Sequence, residues 1–298
     1  MAPDSRDVLT RSARAPDAVV AYGPDPDHLG EAWWPDAMEN SAAPPAALVL
    51  VIHGGFWQVE WDRVHARPLA AALAGAGYVV GSVEYRRIGS AGGGGWPGTF
   101  DDIATAVDEL PEMIMAIAPD HVSTDGVVLV GHSAGGHLAL WTAARHRLPA
   151  HLGWHHAHPT RVRGVVALAP VAELGRADRE GVGEGAVADL VGGHAGEVPD
   201  RYLAVDPAAL APSHVRTVVV HGTDDRQVPV HHSRSYVEYA AQAGDDIAMV
   251  ELVGTEHFAL IDPRSTAWVA VLEAVRQVAG RPPGPNDVIK QTRPIAGV

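Results

Sequence analysis

The sequence predicts an α/β protein built on a doubly wound, mostly parallel sheet flanked by helices. Three observations carry that expectation: short continuous apolar runs, helical patterns between them, and the regular alternation of the two. The runs fall at 47–52, 78–83, 127–130, 165–168, 218–220 and 247–253. Each is bounded by Gly, Pro or Asp and does not alternate apolar with polar, the pattern of strands buried on both faces. Of the helices, the clearest places Trp268, Val271, Leu272, Val275 and Ala279 at spacings of three and four. A second runs through Ile103, Val107, Leu110, Ile114 and Ile117, with Pro111 expected to kink or divide it. A third follows residues 231–243.

Three stretches read as irregular. Residues 89–98, with Gly92 to Gly95 in a row, predict a flexible loop, and residues 147–163 are rich in His and Pro. Residues 171–214 form a long excursion between two strands, at most a small cap. The expected organisation is one domain over 1–280 and a flexible C-terminal tail over 281–298, which carries Pro282, Pro283, Pro285 and Pro294.

Composition excludes several classes. With 22 Lys+Arg against 36 Asp+Glu, the net charge of −14 repels a phosphate backbone, so nucleic acid is not an expected partner. The absence of cysteine removes disulfides, thiolate metal sites, iron–sulfur clusters and a cysteine nucleophile together. Asp4, Arg6, Asp7, Arg11, Arg14 and Asp17 interrupt the first twenty residues, and no run approaches the ~18 apolar residues of a membrane span. A cytoplasmic protein without a membrane partner is the expectation. Oligomeric state leaves no mark on the sequence.

The most informative segment is Gly131-His132-Ser133-Ala134-Gly135, directly after the run at 127–130 and before a helix bearing Leu138 and Trp141. A strand, Gly-x-Ser-x-Gly and a helix together form a nucleophile elbow, in which a tight turn lifts the serine hydroxyl clear of the sheet. The same turn sets the serine at a helix N-terminus, where free N–H groups favour developing negative charge. His53-Gly54-Gly55-Phe56-Trp57 likewise follows a strand, and its glycines let main-chain donors approach an oxyanion. Gly54, Gly55 or Phe56 would supply donors there, with Ala134 as another.

A serine nucleophile needs a base and an acid. Among 17 histidines, His257 stands out because it follows the last strand by a few residues, at the edge of the sheet where the serine emerges. The acid is expected after the preceding strand, where Asp224 and Asp225 lie side by side. Either could instead be an ordinary turn residue or N-cap.

These segments together resemble the α/β-hydrolase superfamily, and more narrowly its small-esterase and kynurenine-formamidase (arylformamidase) branch. The HGGFW loop at 53–57 and the GHSAGG elbow at 131–136 carry the likeness, which extends from about Leu48 to about Val278. The segment 221–229 is similar to the pattern His-Gly-x-x-Asp-x-x-Val-Pro, which aligns the acid with Asp225. The resemblance implies Ser133 as nucleophile, Asp225 as acid and His257 as base. It implies backbone N–H groups of Gly55 or Phe56, together with Ala134, as oxyanion donors. Phe56 and His132 depart from the hormone-sensitive-lipase branch, and the 52 residues before His53 leave no room for the propeller of prolyl oligopeptidases.

Trp57, Trp61, Trp96 and His132 are the candidate substrate-contacting residues, whereas Trp33, Trp34, Trp141 and Trp268 read as packing. His151, His155, His156 and His158 crowd one loop, but no carboxylate or helical pair completes a zinc set, so no metal and no cofactor is expected. The expected activity is hydrolysis of a small carboxylic ester, with arylformamidase activity second. A catalytically inactive binding protein on the same fold would be expected to lack a member of the triad, and here all three have candidates.

Overall fold

The computed structural model describes residues 4–36, 45–91, 93–155 and 160–280. His156, His158, Gly92 and the tail at 281–298 lie outside them. All six apolar runs are strands: β3 (Ala46–Ile52), β4 (Val79–Val83), β5 (Val122–His132), β6 (Val162–Leu168), β7 (Thr217–Gly222) and β8 (Ile247–Leu252). Two further strands, β1 (Ala18–Ala21) and β2 (Leu29–Trp33), precede them. Among the described residues the eight form one sheet in the order β1-β2-β4-β3-β5-β6-β7-β8. The β1–β2 and β2–β4 pairs are antiparallel and the others parallel. This is the α/β-hydrolase fold.

The continuous apolar runs are explained by two cores, one on each face of the sheet. Leu48, Leu50 and Ile52 point to one face, packing with residues of α2 (Gly98–Ile117) and α3 (Ala134–Ala144). Val49 and Val51 point to the other, beneath α1 (Arg67–Gly75) and α9 (Trp268–Ala279). Because both faces are covered, neither parity of the strand has a reason to be polar. β8 is the exception: as an edge strand it is only partly buried, and its Glu251 meets Arg234 at 2.6 Å.

β1 and β2 lack a strand signature for a physical reason. They are four and five residues long, and the middle of β2 is Glu31, a buried carboxylate held by Arg63 at 2.9 Å and Arg67 at 2.5 Å. Pro111 does not end α2, which continues through it. Leu110, Pro111 and Ile114 are all buried, so packing outweighs the single backbone hydrogen bond that proline removes.

In the loop at 89–98 Gly94 is tightly packed, whereas an added Cβ at Gly93 would meet nothing within 4 Å. A side chain at Gly94 would lie 2.0 Å from the Arg87 carbonyl oxygen, and the Gly95 N–H donates to Thr99 Oγ1 at 2.9 Å. The excursion at 171–214 folds as α4 (Leu174–Glu180), α5 (Ala186–Val191), α6 (Pro199–Val205) and α7 (Pro207–Leu210). Its Leu174, Val187, Leu190 and Val205 join the same core as β3 and α3. His137 Nε2 and Trp141 Nε1 on α3 reach the Val205 and Ala204 carbonyl oxygens at 2.9 and 3.0 Å. Next comes α8 (His231–Ala243), between β7 and β8. No helix among the described residues is long and apolar enough to cross a membrane.

Candidate active site

The elements deliver the candidate residues to one edge of the sheet. β3 ends at the 53–57 loop, β5 at Ser133, β7 just before Asp225 and β8 shortly before His257. In an open parallel sheet this carboxyl edge, near the point where strand order reverses, is where ligands bind.

Ser133 occupies the strained backbone that an elbow requires, with φ 56° and ψ −116°, and caps α3. Its N–H donates to the Leu168 carbonyl oxygen at 2.8 Å. Close backbone approach explains the flanking glycines. A Cβ at Gly131 would lie 2.1 Å from the Gly135 carbonyl oxygen, and one at Gly135 would lie 2.0 Å from that of Ile52. Gly54 abuts the serine itself, since a Cβ there would sit 3.1 Å from Ser133 Cβ and 2.8 Å from the His132 carbonyl oxygen. The 53–57 loop and the elbow are therefore one packed unit, and Ala134, as the first residue of α3, has no partner for its N–H within the helix.

Phe56 and Trp57 both have positive φ, 49° and 58°. The Phe56 ring lies against Gly183 of the excursion, where an added Cβ would be 2.6 Å from it. His53 fixes the base of the loop. Fully buried and stacked on Tyr85 with ring centres 4.4 Å apart, it places Nε2 2.9 Å from Glu84 Oε1. Burial alone would raise the Glu84 carboxyl, but His53, Arg87 and the Arg63 N–H outweigh it and hold the group at about 2.

The two adjacent aspartates have separate fates. Asp224 is exposed, whereas Asp225 Oδ2 lies 2.5 Å from His257 Nδ1. Asp225 Oδ1 accepts the N–H groups of Gln227 and Val228 at 2.8 and 2.9 Å. Burial pushes this carboxyl up, yet hydrogen bonds from His221 and His257 overcome it and hold it well below the usual carboxylate range. His221 is a supporting residue that the sequence pattern contained without revealing its role. Its Nε2 is 3.2 Å from Asp225 Oδ2, and its Nδ1 is 2.7 Å from Ser233 Oγ on α8.

His132 joins the serine side of the site to the histidine side. Its ring lies 4.4 Å from that of His257, and its Nε2 donates to the His257 carbonyl oxygen at 3.2 Å. Burial first, and His257 second, push its pKa well down, so the ring is neutral. It is nearly inaccessible, at 4% exposure.

The three tryptophans are not brought together. Trp57 is fully buried with its ring edge-on to His137 at 5.3 Å, whereas Trp61 is 38% exposed. Trp96 joins an aromatic cluster with Phe100 and Trp154 and borders a separate 530 Å³ cavity with Arg147, Leu152 and Arg201. The clefts beside the candidate triad have other walls. One of 270 Å³ is bordered by His257, Phe258, Gln227, Ser5 and Arg6. Another, of 570 Å³, lies between Phe56, Gln58, Glu180 to Glu184, Gln227 and Pro229. The N-terminal segment had no expected part in the site. It arrives there because Asp4 caps a 3₁₀ helix over Ser5–Thr10, Val8 is buried, and Ser5 Oγ donates to Glu256 Oε2 at 2.7 Å.

A family model described as BD-FAE matches residues 37–239, more than half of the chain. The chain belongs to the BD-FAE family. This BD-FAE protein is 26% identical over 297 residues to the probable carboxylic ester hydrolase LipM of Mycobacterium tuberculosis (strain ATCC 25618 / H37Rv), covering 91% of the chain and 64% of LipM. The chain spans less than two thirds of the length of the curated relatives it matches over most of its own. A shorter similarity links it to the kynurenine formamidase of Danio rerio, 30% identical over 102 residues, 34% of the chain and 31% of that enzyme. Among solved structures, esterase B from Lactobacillus Rhamnosis inhibited by a C4-C4 SN3 tributyrin phosphonate shares the fold. Its TM-score is 0.73 at 19% identity, covering 93% of this chain and 90% of that one.

Proposed function

We propose that this BD-FAE protein is a serine hydrolase that cleaves small carboxylic esters through an acyl-enzyme, without a cofactor in the chemistry. The observation that carries the reading is the buried Asp225–His257 pair at 2.5 Å, whose histidine ring lies 4.4 Å from that of His132, the residue before a serine on an elbow with φ 56°. In this reading Ser133 Oγ attacks the ester carbonyl carbon as its proton passes to His257 Nε2. Asp225 keeps the Nδ1–H of His257 oriented and stabilises the imidazolium. The oxyanion is received by N–H groups of the 54–56 loop and of Ala134. Collapse expels the alcohol, which takes the proton from His257. Water, deprotonated by the same histidine, then attacks the acyl carbon and restores Ser133.

The substrate class follows from access. Ser133 is only 2% exposed, which supports short acyl groups over long ones. The C4-C4 phosphonate on esterase B agrees with that size. An arylformamidase is the second reading, favoured by the stretch similar to kynurenine formamidase and sharing the same machinery. A net charge of −14 supports small-molecule rather than nucleic-acid partners. Residues 1–280 are read as one domain, supported by the core that the excursion shares with the sheet.

Fluorophosphonate labelling of the wild type, lost in Ser133→Ala together with several orders of magnitude of turnover, tests the mechanism. Near-normal activity in that variant would end it. Comparing kcat/KM for p-nitrophenyl acetate, butyrate and octanoate with N-formylkynurenine tests the substrate. A steady rise to octanoate would reject the short-acyl reading, and formamide hydrolysis far above the esters would promote the second.

A further inference from the structure

Away from Ser133, one set of donor atoms converges where the excursion meets α8. Glu180 at the end of α4, and His231 and His232 in the first turn of α8, bring one ligand atom each within 4.8 Å of one another. His231 Nε2 and His232 Nε2 each lie 3.0 Å from the same oxygen, Glu180 Oε2. The other carboxylate oxygen is already satisfied, because Arg176 Nε donates to Oε1 at 2.7 Å.

An ordinary ion pair accounts for His231, which makes a hydrogen bond to Oε2. It does not account for His232. That side chain is 1% exposed, and its Nε2 makes no hydrogen bond although the carboxylate oxygen is close enough for one. The nitrogen and oxygen face each other without a proton aligned between them, an arrangement that is costly when buried. A cation removes that cost by accepting both lone pairs. Ligand bonds of about 2.0–2.2 Å at tetrahedral angles separate neighbouring donor atoms by roughly 3.4 Å, near the 3.0 Å from each imidazole nitrogen to the carboxylate oxygen.

We propose that Glu180, His231 and His232 form a binding site for a divalent transition metal of the zinc class, with two imidazole nitrogens and one carboxylate oxygen as ligands. The ring of His231 and the Glu180 carboxylate are partly exposed, which gives the ion an entry path and leaves a further position for water. The ion would fasten α4 to α8. Residues 181–184, which follow Glu180, line the 570 Å³ cleft, and Ser233, which follows His232, is hydrogen-bonded to His221 beside Asp225. The bound metal therefore braces a wall of the cleft without touching Ser133 or His257. The binding claim is independent of the hydrolase reading.

The test is a calorimetric titration of Zn²⁺ into the full chain, stripped with a chelator and dialysed at pH 7, compared with Glu180→Gln and His231→Gln. Both substitutions are at partly exposed side chains, and circular dichroism verifies that each variant folds. The expected result is a zinc site in the wild type that each variant weakens by at least about tenfold. Zn²⁺ should also raise the Tm of the wild type and not that of the variants. Equal binding by all three proteins would assign the zinc to other histidines and overturn the proposal, as would a wild type that takes up no zinc at micromolar concentrations.

Discussion

Replacing Glu84 by Gln should destabilise the protein by about 3 kcal/mol at pH 7, and the size can be worked in two ways. The carboxyl is 1% exposed and held at about 2, against an ordinary 4.5. At ~1.4 kcal/mol per pH unit, that depression corresponds to about 3 kcal/mol of stabilisation. Removing one partner of a buried charge pair costs about 3–5 kcal/mol by direct comparison with such pairs elsewhere. The partners left behind would be His53 Nε2, Arg63 and Arg87. Because the folded pKa is depressed, the contribution is present in full above about 4.5 and is lost as the pH falls through about 2. Urea unfolding of wild type and Glu84→Gln at pH 7, 5 and 3 measures this. The gap should be near 3 kcal/mol at pH 7 and 5 and fall to about half that or less at pH 3. A gap under about 1 kcal/mol at pH 7, or one that stays constant on acidification, would refute the reasoning. Since His53 immediately precedes Gly54, turnover should fall as well, because misplacing a reacting contact by 1 Å costs on the order of 100-fold.

Asp225→Asn should lower kcat by about 10³–10⁴-fold through the wrong tautomer of its partner histidine, whereas Asp224→Asn should stay close to wild type. Steady-state kinetics on p-nitrophenyl acetate separates the two, and equal mild effects would mean that the acid lies elsewhere. Gly135→Ala should give insoluble or inactive protein, because its Cβ would be 2.0 and 2.5 Å from the carbonyl oxygens of Ile52 and His53 at the end of β3. Soluble, active Gly135→Ala would contradict the packed elbow. Gly75→Ala is the opposite case: nothing lies within 4 Å of the added Cβ at this helical position, and Tm should hold or rise, by up to about 1 kcal/mol of stability.

The parallel part of the sheet was legible because burial on both faces leaves an unmistakable run of apolar residues, as in 47–52. Where burial was of a different kind, the pattern failed. β2 carries a buried carboxylate that is neutralised by two arginines from sequence-distant positions, and a one-dimensional reading registers only a charge. The same limit applies around the site. The elbow and the HGGFW loop are local chemistry, written in consecutive residues. The support for His53 from Glu84, and for Asp225 from His221 and Ser233, depends on strand order. The tryptophans show the same limit: proximity in sequence to the 53–57 loop does not say which way a ring turns, and Trp57 packs inward on His137 whereas Trp61 lies against Gly55.

Strand order also explains why the site can be built from so few specialised residues. Ile52 and Gly131 are paired across β3 and β5, and His132 is paired with Leu168 across β5 and β6. The sheet ladder therefore sets the heights of the 53–57 loop and the elbow before any side chain is placed. Close contact between Gly54 and the elbow then fixes their separation, and His132, one residue from the serine, carries the same frame to the His257 backbone. The histidine ring is held from its other side by Asp225, whose second oxygen is pinned by two N–H groups of its own turn. In the proposed mechanism each reacting group is positioned by backbone geometry on at least one side, so losses in catalysis should follow changes in the glycines and in the Asp225 turn more steeply than changes in the surrounding aromatic walls. A scan in which Trp61→Ala lowered kcat/KM more than Gly54→Ala would show that the walls, and not the backbone frame, set the rate.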